Sequence, residues 1–426
     1  MKKDKTYLCI DLKTFFASVE CAQRGLDSLN TNLVVADPSR GNGAICLAIS
    51  QALKNHGVHN RCRVFEIPKN LSYIIAKPRM KLYIQYAAEI YAIYLRYIAA
   101  SDIHPYSIDE MFIDATTYLK LYKMDAYSFA KLLMGKIFDE LHIRSSCGIG
   151  TNLYLAKIAL DISAKHNIDN IAYLDEEKYK KELGNHQPLS DFWMISTGYT
   201  NRLHKLGLYT MNDIAECDEK ILYKTFGINA EILIDHSKGI EPVEIKDIKA
   251  YKRKSNSLSQ SQILFEDYDY KKARLIIKEM VELLCLDLVD RGLVSDNIYL
   301  GIGYSKEGYK TYGSNYKISA RTNVYSIFIP YFLDMYDKLV DKNKMIRRIS
   351  IGFGNVLNED FEQFDLFTDV EKVKKEQKLD KVINNIKSKY GKNAIIKGMN
   401  LEEGATSIMR NKLIGGHNSG EDENKW

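Results

Sequence analysis

The sequence predicts an α+β fold spread over several domains, and three observations carry that expectation. At 426 residues the chain exceeds what one hydrophobic core ordinarily holds, so roughly two to four domains are expected. Residues 7 to about 175 alternate strand and helix patterns, and 257–355 do so again. Between them, 175–240 is helical and polar, a change of class that marks a boundary.

In chain order, YLCIDL (7–12), NLVVAD (32–37), AICLAIS (44–50), YIIAK (73–77), SSCGIG (145–150) and IAYL (171–174) read as strands. HPYSIDEMFID (104–114) reads as two strands meeting at a tight turn that carries Asp109 and Glu110. Helical spacing runs over 13–24, 79–100, 125–141 and 153–165. Because hairpins mix with crossovers, the sheet is expected to be mostly antiparallel. In 175–240, LGLYT and FGI separate short helices. EIKDIKAYKRKSNS (244–257) is charged and poor in large apolar residues, the composition of a linker. LSQSQILF, NIYLGIGYS, KISARTNV and RRISIGFG are strands, with helices at 270–291 and 325–340. After FEQFDLF a charged helix is expected near 370–390, and GGHNSGEDENKW (415–426) reads as disordered.

Composition excludes several classes. Hydrophobic residues are 46% and charged residues 27%, ordinary for a soluble globular protein. No run approaches ~18 apolar residues, so no membrane partner is expected. The N-terminus lacks a small-residue cleavage site and Asp11 interrupts its apolar run, against a signal peptide. The cysteines at 9, 21, 46, 62, 147, 217 and 285 are scattered, with no metal-ligand spacing; reduced thiols in a cytoplasmic protein are expected. Net charge is only +5, but 246–350 holds 19 Lys+Arg against 13 Asp+Glu, a candidate phosphate-facing surface.

Adjacent carboxylates repel, so Asp109-Glu110 invites a positive partner. Asp11 ends a strand that continues directly into KTFFASVE, where it can also serve as a helix N-cap. Three acids at the ends of strands that can be neighbours in one sheet suit Mg²⁺, and two such ions are a device for phosphoryl transfer.

Three segments then carry a resemblance: Asp11-Leu12-Lys13-Thr14-Phe15-Phe16-Ala17-Ser18-Val19-Glu20, Ser107-Ile108-Asp109-Glu110, and Gly148-Ile149-Gly150-Thr151-Asn152-Leu153-Tyr154-Leu155-Ala156-Lys157. In order and spacing the chain resembles the Y-family DNA polymerases over roughly residues 5 to 400. It is most similar to the UmuC-like branch of Gram-positive bacteria, as is its ending Arg410-Asn411-Lys412-Leu413-Ile414-Gly415-Gly416-His417. The resemblance implies a right-hand polymerase: a ferredoxin-like palm (1–25 and 75–175), small fingers (26–74), and a helical thumb with a helix-hairpin-helix (176–243). A linker (244–256), an α/β little-finger domain (257–358) and a C-terminal tail with a clamp-binding motif (359–426) follow.

By the same resemblance Asp11 and Asp109 bridge two Mg²⁺ ions, Glu110 holds the ion that activates the primer 3′-OH, and the Leu12 carbonyl completes the other. Phe15 and Phe16 lie at the nucleotide, Phe16 in the place of the steric gate that excludes a ribose 2′-OH. Lys165 matches a triphosphate contact. The fingers depart from much of the family, with Gln51 and Lys54 where Tyr and Arg are usual; Lys54 keeps the charge without arginine's planar fork. Lys13 replaces an acid found in some branches. Thr197 and Gly198 lie in the thumb hairpin and Lys252, Arg253 and Lys254 in the linker, all expected at DNA phosphates. Gln363, Leu366 and Phe367 match the peptide that docks on the bacterial sliding clamp. The implied partners are primer–template DNA, dNTPs, the clamp and accessory proteins of the SOS damage response. The activity implied is template-directed, low-fidelity DNA synthesis past lesions. The alternative is a catalytically silent, clamp-docked DNA-binding protein that regulates other polymerases.

Overall fold

The structure is a computed structural model that describes residues 5–252, 256–308, 310–366 and 368–420. The chain divides into two compact units, Met1–Lys252 with His417–Trp426, and Arg253–Gly416.

The strands of the first unit are β1 (Tyr7–Leu12), β2 (Leu33–Val35), β3 (Ala48–Ile49), β4 (Ile74–Ala76), β5 (Ile103–Pro105), β6 (Glu110–Asp114), β7 (Ser145–Gly150) and β8 (Ile171–Leu174). Five form one sheet in the order β5-β6-β1-β7-β8, antiparallel except for the β7–β8 pair. Alternation along β1 explains its unbroken apolar character. Leu8, Ile10 and Leu12 join the core made with helices Met80–Leu95 and Ala126–Leu141, while Tyr7 and Cys9 pack on the other side with Leu153, Ala156 and Leu160. Both faces of the sheet are therefore covered. A second sheet, β3-β2-β4, has its own small core of Val34, Cys46, Ile49 and Leu53. Short helices between 176 and 237 close around Tyr179, Leu203, Met211 and Leu222.

The second unit holds β9 (Leu258–Tyr268), β10 (Leu293–Tyr304), β11 (Tyr312–Thr322) and β12 (Ile346–Gly354), an antiparallel sheet in the order β11-β10-β12-β9. Helices Tyr270–Asp290 and Tyr325–Leu339 bury Ile276, Met280, Phe328 and Phe332 against its inner face.

The structure differs from the sequence reading at several places. Half of the expected linker 244–256 is a helix, Ile245–Ala250, started by reciprocal caps between Glu244 and Asp247. One buried side chain, Ile245, and the Lys5–Glu244 ion pair at 3.0 Å dock it, and neither shows in a composition dominated by charge. β11 begins at Tyr312, five residues before KISARTNV, because its outer face is solvated and lacks an apolar signal. A helix at Thr116–Tyr122 was not expected. The expected helix 153–165 is instead Leu153–Ile158, a wide π-type turn Ala159–Ser163 and a 3₁₀ turn Ala164–His166.

The tail is also more ordered than its composition suggests. Helix Val370–Tyr390 lies along helix Tyr270–Asp290, with the Asn384 amide donating to the Leu286 carbonyl at 2.9 Å. Glu279, 1% exposed, accepts hydrogen bonds from Asn400, Thr406 and Ser407. Of 415–426, read as disordered, 421–426 lie outside the described residues, while 417–420 belong to the first unit, where Ser419 is buried and its carbonyl accepts the Lys81 N–H at 3.0 Å. These are backbone and single-residue bonds, invisible to a reading of composition.

Candidate active site

β1 and β6 pair so that Asp11 stands directly opposite Glu110. Asp109 precedes β6 in the turn, and its carbonyl accepts the Leu12 N–H at 2.9 Å. Glu110 thus belongs to the strand rather than to the turn, and it is buried. Asp11 and Glu110 share the sheet face on which Leu153, Ala156 and Leu160 pack. That helix lies on β7 closely enough that a Cβ on Gly148 would sit 2.0 Å from the Ala156 carbonyl oxygen, and one on Gly150 2.2 Å from the Ala156 nitrogen. The two glycines of GIG bring Lys157 to the carboxylates.

Lys157 Nζ lies 2.7 Å from Glu110 Oε2 and 2.9 Å from Asp161 Oδ2. Asp161 Oδ1 lies 2.9 Å from Lys165 Nζ, which in turn reaches Asp11 Oδ2 at 3.4 Å. Lys157, Asp161 and Lys165 recur at intervals of four along the chain, so one winding segment lays an alternating charge ladder across the two strand ends. The sequence reading placed Lys165 here but missed Lys157 and Asp161, although their spacing of four was the available signal.

Burial pushes the Asp11 carboxyl up to about 6; Lys165 opposes the rise, and the charges of Asp109 and Glu110 add to it. Burial also works against the charge of Lys165, but Asp11 and Asp161 outweigh it and hold the ammonium above its ordinary range. Lys54, at the end of helix Gln51–Asn55, and Lys13 are both held low. Burial is the main cause for each, with Lys165 adding for Lys54, and Lys54 and Arg144 for Lys13. The charges of Asp11 and Lys165 act on both, Asp11 favouring and Lys165 opposing their ammonium forms. Lys13 donates to Asn170 Oδ1.

The turn between β1 and helix Phe15–Gln23 puts Thr14, a β-branched residue, at φ 47 and ψ 43. Such a conformation costs about 1–3 kcal/mol and persists where the surroundings impose it. The Ser18 hydroxyl contributes, donating to the Lys13 carbonyl at 2.7 Å.

The donor set, three carboxylates and the Leu12 carbonyl, is all oxygen and suits a hard divalent cation. Burial first, and the like charges of Asp109 and Glu110 after it, disfavour the ionised Asp11 carboxyl, and a cation placed there would favour it. Among the described residues no three acid, His or Cys side chains close around one point as they stand. Each acid takes a protein partner instead: Glu110 takes Lys157, and Asp109 accepts from the Ser107 hydroxyl at 2.7 Å.

The chain matches the impB/mucB/samB family over residues 10–161 and that family's C-terminal domain over 255–366. It is 31% identical over 97% of its length to a Bacillus subtilis (strain 168) protein named for UV-damage repair, UvrX, covering 98% of that protein. This chain belongs to that family, the Y-family polymerases of the UmuC type. It is also 28% identical over 98% of its length to DNA polymerase IV 2 of B. subtilis, covering all of that protein. In fold it is similar to a solved Y-family DNA polymerase chimera of Dbh and Dpo4, with TM-score 0.64 and 18% identity over 83% of this chain and 99% of that one. The mixed α/β architecture is that of a Y-family polymerase with palm, fingers, thumb and little-finger domains.

In this polymerase Phe15 is buried, while Phe16 is half-buried and stacks on Tyr83, with ring centroids 4.5 Å apart and planes 15° from parallel. Ser196, Thr197 and Gly198 are exposed at the start of helix Thr197–Lys205, whose N-cap Ser196 makes no side-chain capping bond. Lys252 is exposed, and Arg253 and Lys254 lie outside the described residues. Gln363 pairs its backbone with Arg321 on the edge of β11, at 2.7 and 2.9 Å, leaving its side chain exposed. Leu366 is 99% exposed, and Phe367 lies outside the described residues. Among the described residues no helix is long and apolar enough to cross a membrane.

Proposed function

We propose that this Y-family DNA polymerase extends a primer on a template by two-metal phosphoryl transfer. The observation that carries the reading is the Asp11–Glu110 cross-strand pair, with Asp109 beside it, facing the Lys157–Asp161–Lys165 ladder. Asp11, Asp109, Glu110 and the Leu12 carbonyl would hold two Mg²⁺, which supply charge neutralisation for in-line attack of the 3′-OH on the α-phosphate of a dNTP. Lys165 and Lys54 bind the triphosphate; burial holds the Lys54 ammonium below its ordinary range, and a bound anion would raise it. Lys157 holds Glu110 in place from behind. Phe16 underlies the sugar and excludes a 2′-OH. Phe16→Ala is expected to raise ribonucleotide incorporation, and an unchanged ratio would sink that role.

Low fidelity and lesion bypass rest on the relatives named for DNA polymerase IV and UV-damage repair. The palm would comprise 1–25 and 75–175, the fingers 26–74, the thumb 176–243 and the little finger the sheet of 257–358. Thr197, Gly198 and Lys252 are read as phosphate contacts, which are independent of sequence and sensitive to salt. Gln363 and Leu366 form part of a clamp-docking peptide. The exposure of Leu366, on a segment whose backbone is already pinned to β11, supports that reading.

Primer extension with Mg²⁺ and dNTPs is the test, on the protein and on Asp109→Ala with Glu110→Ala. Template-directed extension by the first and a loss of about 10³-fold or more in the second is expected. Extension that survives the double substitution contradicts the metal site. DNA binding without extension by either favours the silent, regulatory alternative.

A further inference from the structure

The four last described residues, His417–Gly420, belong to the first unit. They meet the start of helix Met80–Leu95, whose N-cap residue, Arg79, makes no side-chain capping bond. The Ser419 carbonyl accepts the Lys81 N–H at 3.0 Å, so a segment more than three hundred residues away supplies what a local cap would otherwise supply. Gly420, at φ +89, lies against Arg79: a Cβ there would meet Arg79 Cβ at 3.0 Å and Cα at 3.2 Å. Asn418 folds the segment back by accepting the Gly420 N–H at 2.8 Å. Ser419 is 3% exposed.

Arg79 is one end of a short chain of bonds. Its Nε and Nη2 reach Glu20 at 3.0 and 2.7 Å. Glu20 is fully buried and accepts the Tyr83 hydroxyl at 2.7 Å, with Arg24 as a further partner. The Tyr83 ring is the surface on which Phe16 stacks. Phe16 and Glu20 stand four apart on helix Phe15–Gln23, so one face of that helix carries both the gate and its anchor.

We infer that His417–Gly420 is a positioning element of the nucleotide site: docked on Arg79, it fixes Glu20 and Tyr83 and so the Phe16 ring. This rests on the reading of Phe16 as the sugar gate. A ring that excludes one hydroxyl must not yield by a fraction of an ångström, and residues joined through shared partners transmit such changes. His417–Gly420 is thereby a determinant of sugar selectivity.

The test is the ratio of ribonucleotide to deoxyribonucleotide incorporation by the full chain, with Phe16→Ala, Gly420→Val and Tyr83→Phe measured side by side. Phe16→Ala sets the scale of an absent gate. Gly420→Val, which cannot approach Arg79, and Tyr83→Phe, which keeps the ring and loses the bond to Glu20, are each expected to raise the ratio about 3- to 10-fold. The pair combined should rise no further than the larger single change, because both cut the same chain of bonds. A wild-type ratio in Gly420→Val beside a raised one in Phe16→Ala overturns the inference and leaves the gate standing. Additive effects of the pair overturn it too. If Phe16→Ala itself keeps the wild-type ratio, the gate reading fails and this inference fails with it. Should Gly420→Val not fold, a wild-type ratio in Tyr83→Phe is enough to reject the proposal.

Discussion

Glu279 of the second unit is 1% exposed and accepts four hydrogen bonds, from Asn400, the Thr406 amide and hydroxyl, and Ser407, at 2.8–3.2 Å. Asp11 of the first unit is half-buried; among the described residues its one ion pair is Lys165 at 3.4 Å, and Asp109 and Glu110 press on it with like charge. Burial of a carboxylate is common to both. What separates them is satisfaction: the first holds the fold together, and the second carries a deficit that a ligand can fill. The comparison teaches that Asp11, unlike Glu279, keeps room for a further partner.

Substitutions should separate the two regions. The largest effect is expected from Asp11→Ala, Asp109→Ala or Glu110→Ala, each lowering single-turnover nucleotide addition by about 10³-fold while the fold survives. Glu279→Ala should do the reverse. Leaving the donors of Asn400, Thr406 and Ser407 without an acceptor should cost about 3 kcal/mol in urea unfolding, with addition per folded molecule little changed. Equal damage to stability from both classes would erase the distinction.

A smaller effect concerns Asp380, also buried in the second unit. Burial pushes its carboxyl up to about 6; Glu376 and Glu282 add to the rise, and Lys397 opposes it. The folded form then holds a proton that the unfolded chain releases from about pH 4. Stability from this residue is therefore greatest at low pH and falls as pH rises from about 4 to about 6. Asp380→Asn should flatten that slope and raise the unfolding free energy at pH 7, by at most ~2 kcal/mol. A slope unchanged by the substitution would show that Asp380 is ordinary. The smallest effect is expected from Leu366→Ala: unchanged stability and unchanged distributive synthesis, with a loss only in stimulation by a bacterial sliding clamp. Stimulation equal to the wild type would remove Leu366 from that contact.

Much of the first unit was legible because its central strands are covered on both sides, and YLCIDL and SSCGIG announce themselves as apolar runs of strand length. The three acids were legible because they interrupt such runs at their ends. Lys157 and Asp161 were harder to see, since a lysine and an acid four apart also describe any solvated helix; only the close packing permitted by Gly148 and Gly150 turns them inward. The helix at Ile245–Ala250 and the docking of Ser419 were hidden for a different reason. Each depends on one buried side chain or one carbonyl, and composition averages such details away.

The most direct test of the central claim is Asp11→Asn, measured for its urea midpoint in EDTA and for its extension rate in Mg²⁺. If Asp11 is kept unsatisfied for function, removing its charge should raise the midpoint, by the equivalent of about 1 kcal/mol in unfolding free energy, and abolish extension together. A less stable Asp11→Asn, or one that still extends the primer, would contradict the account.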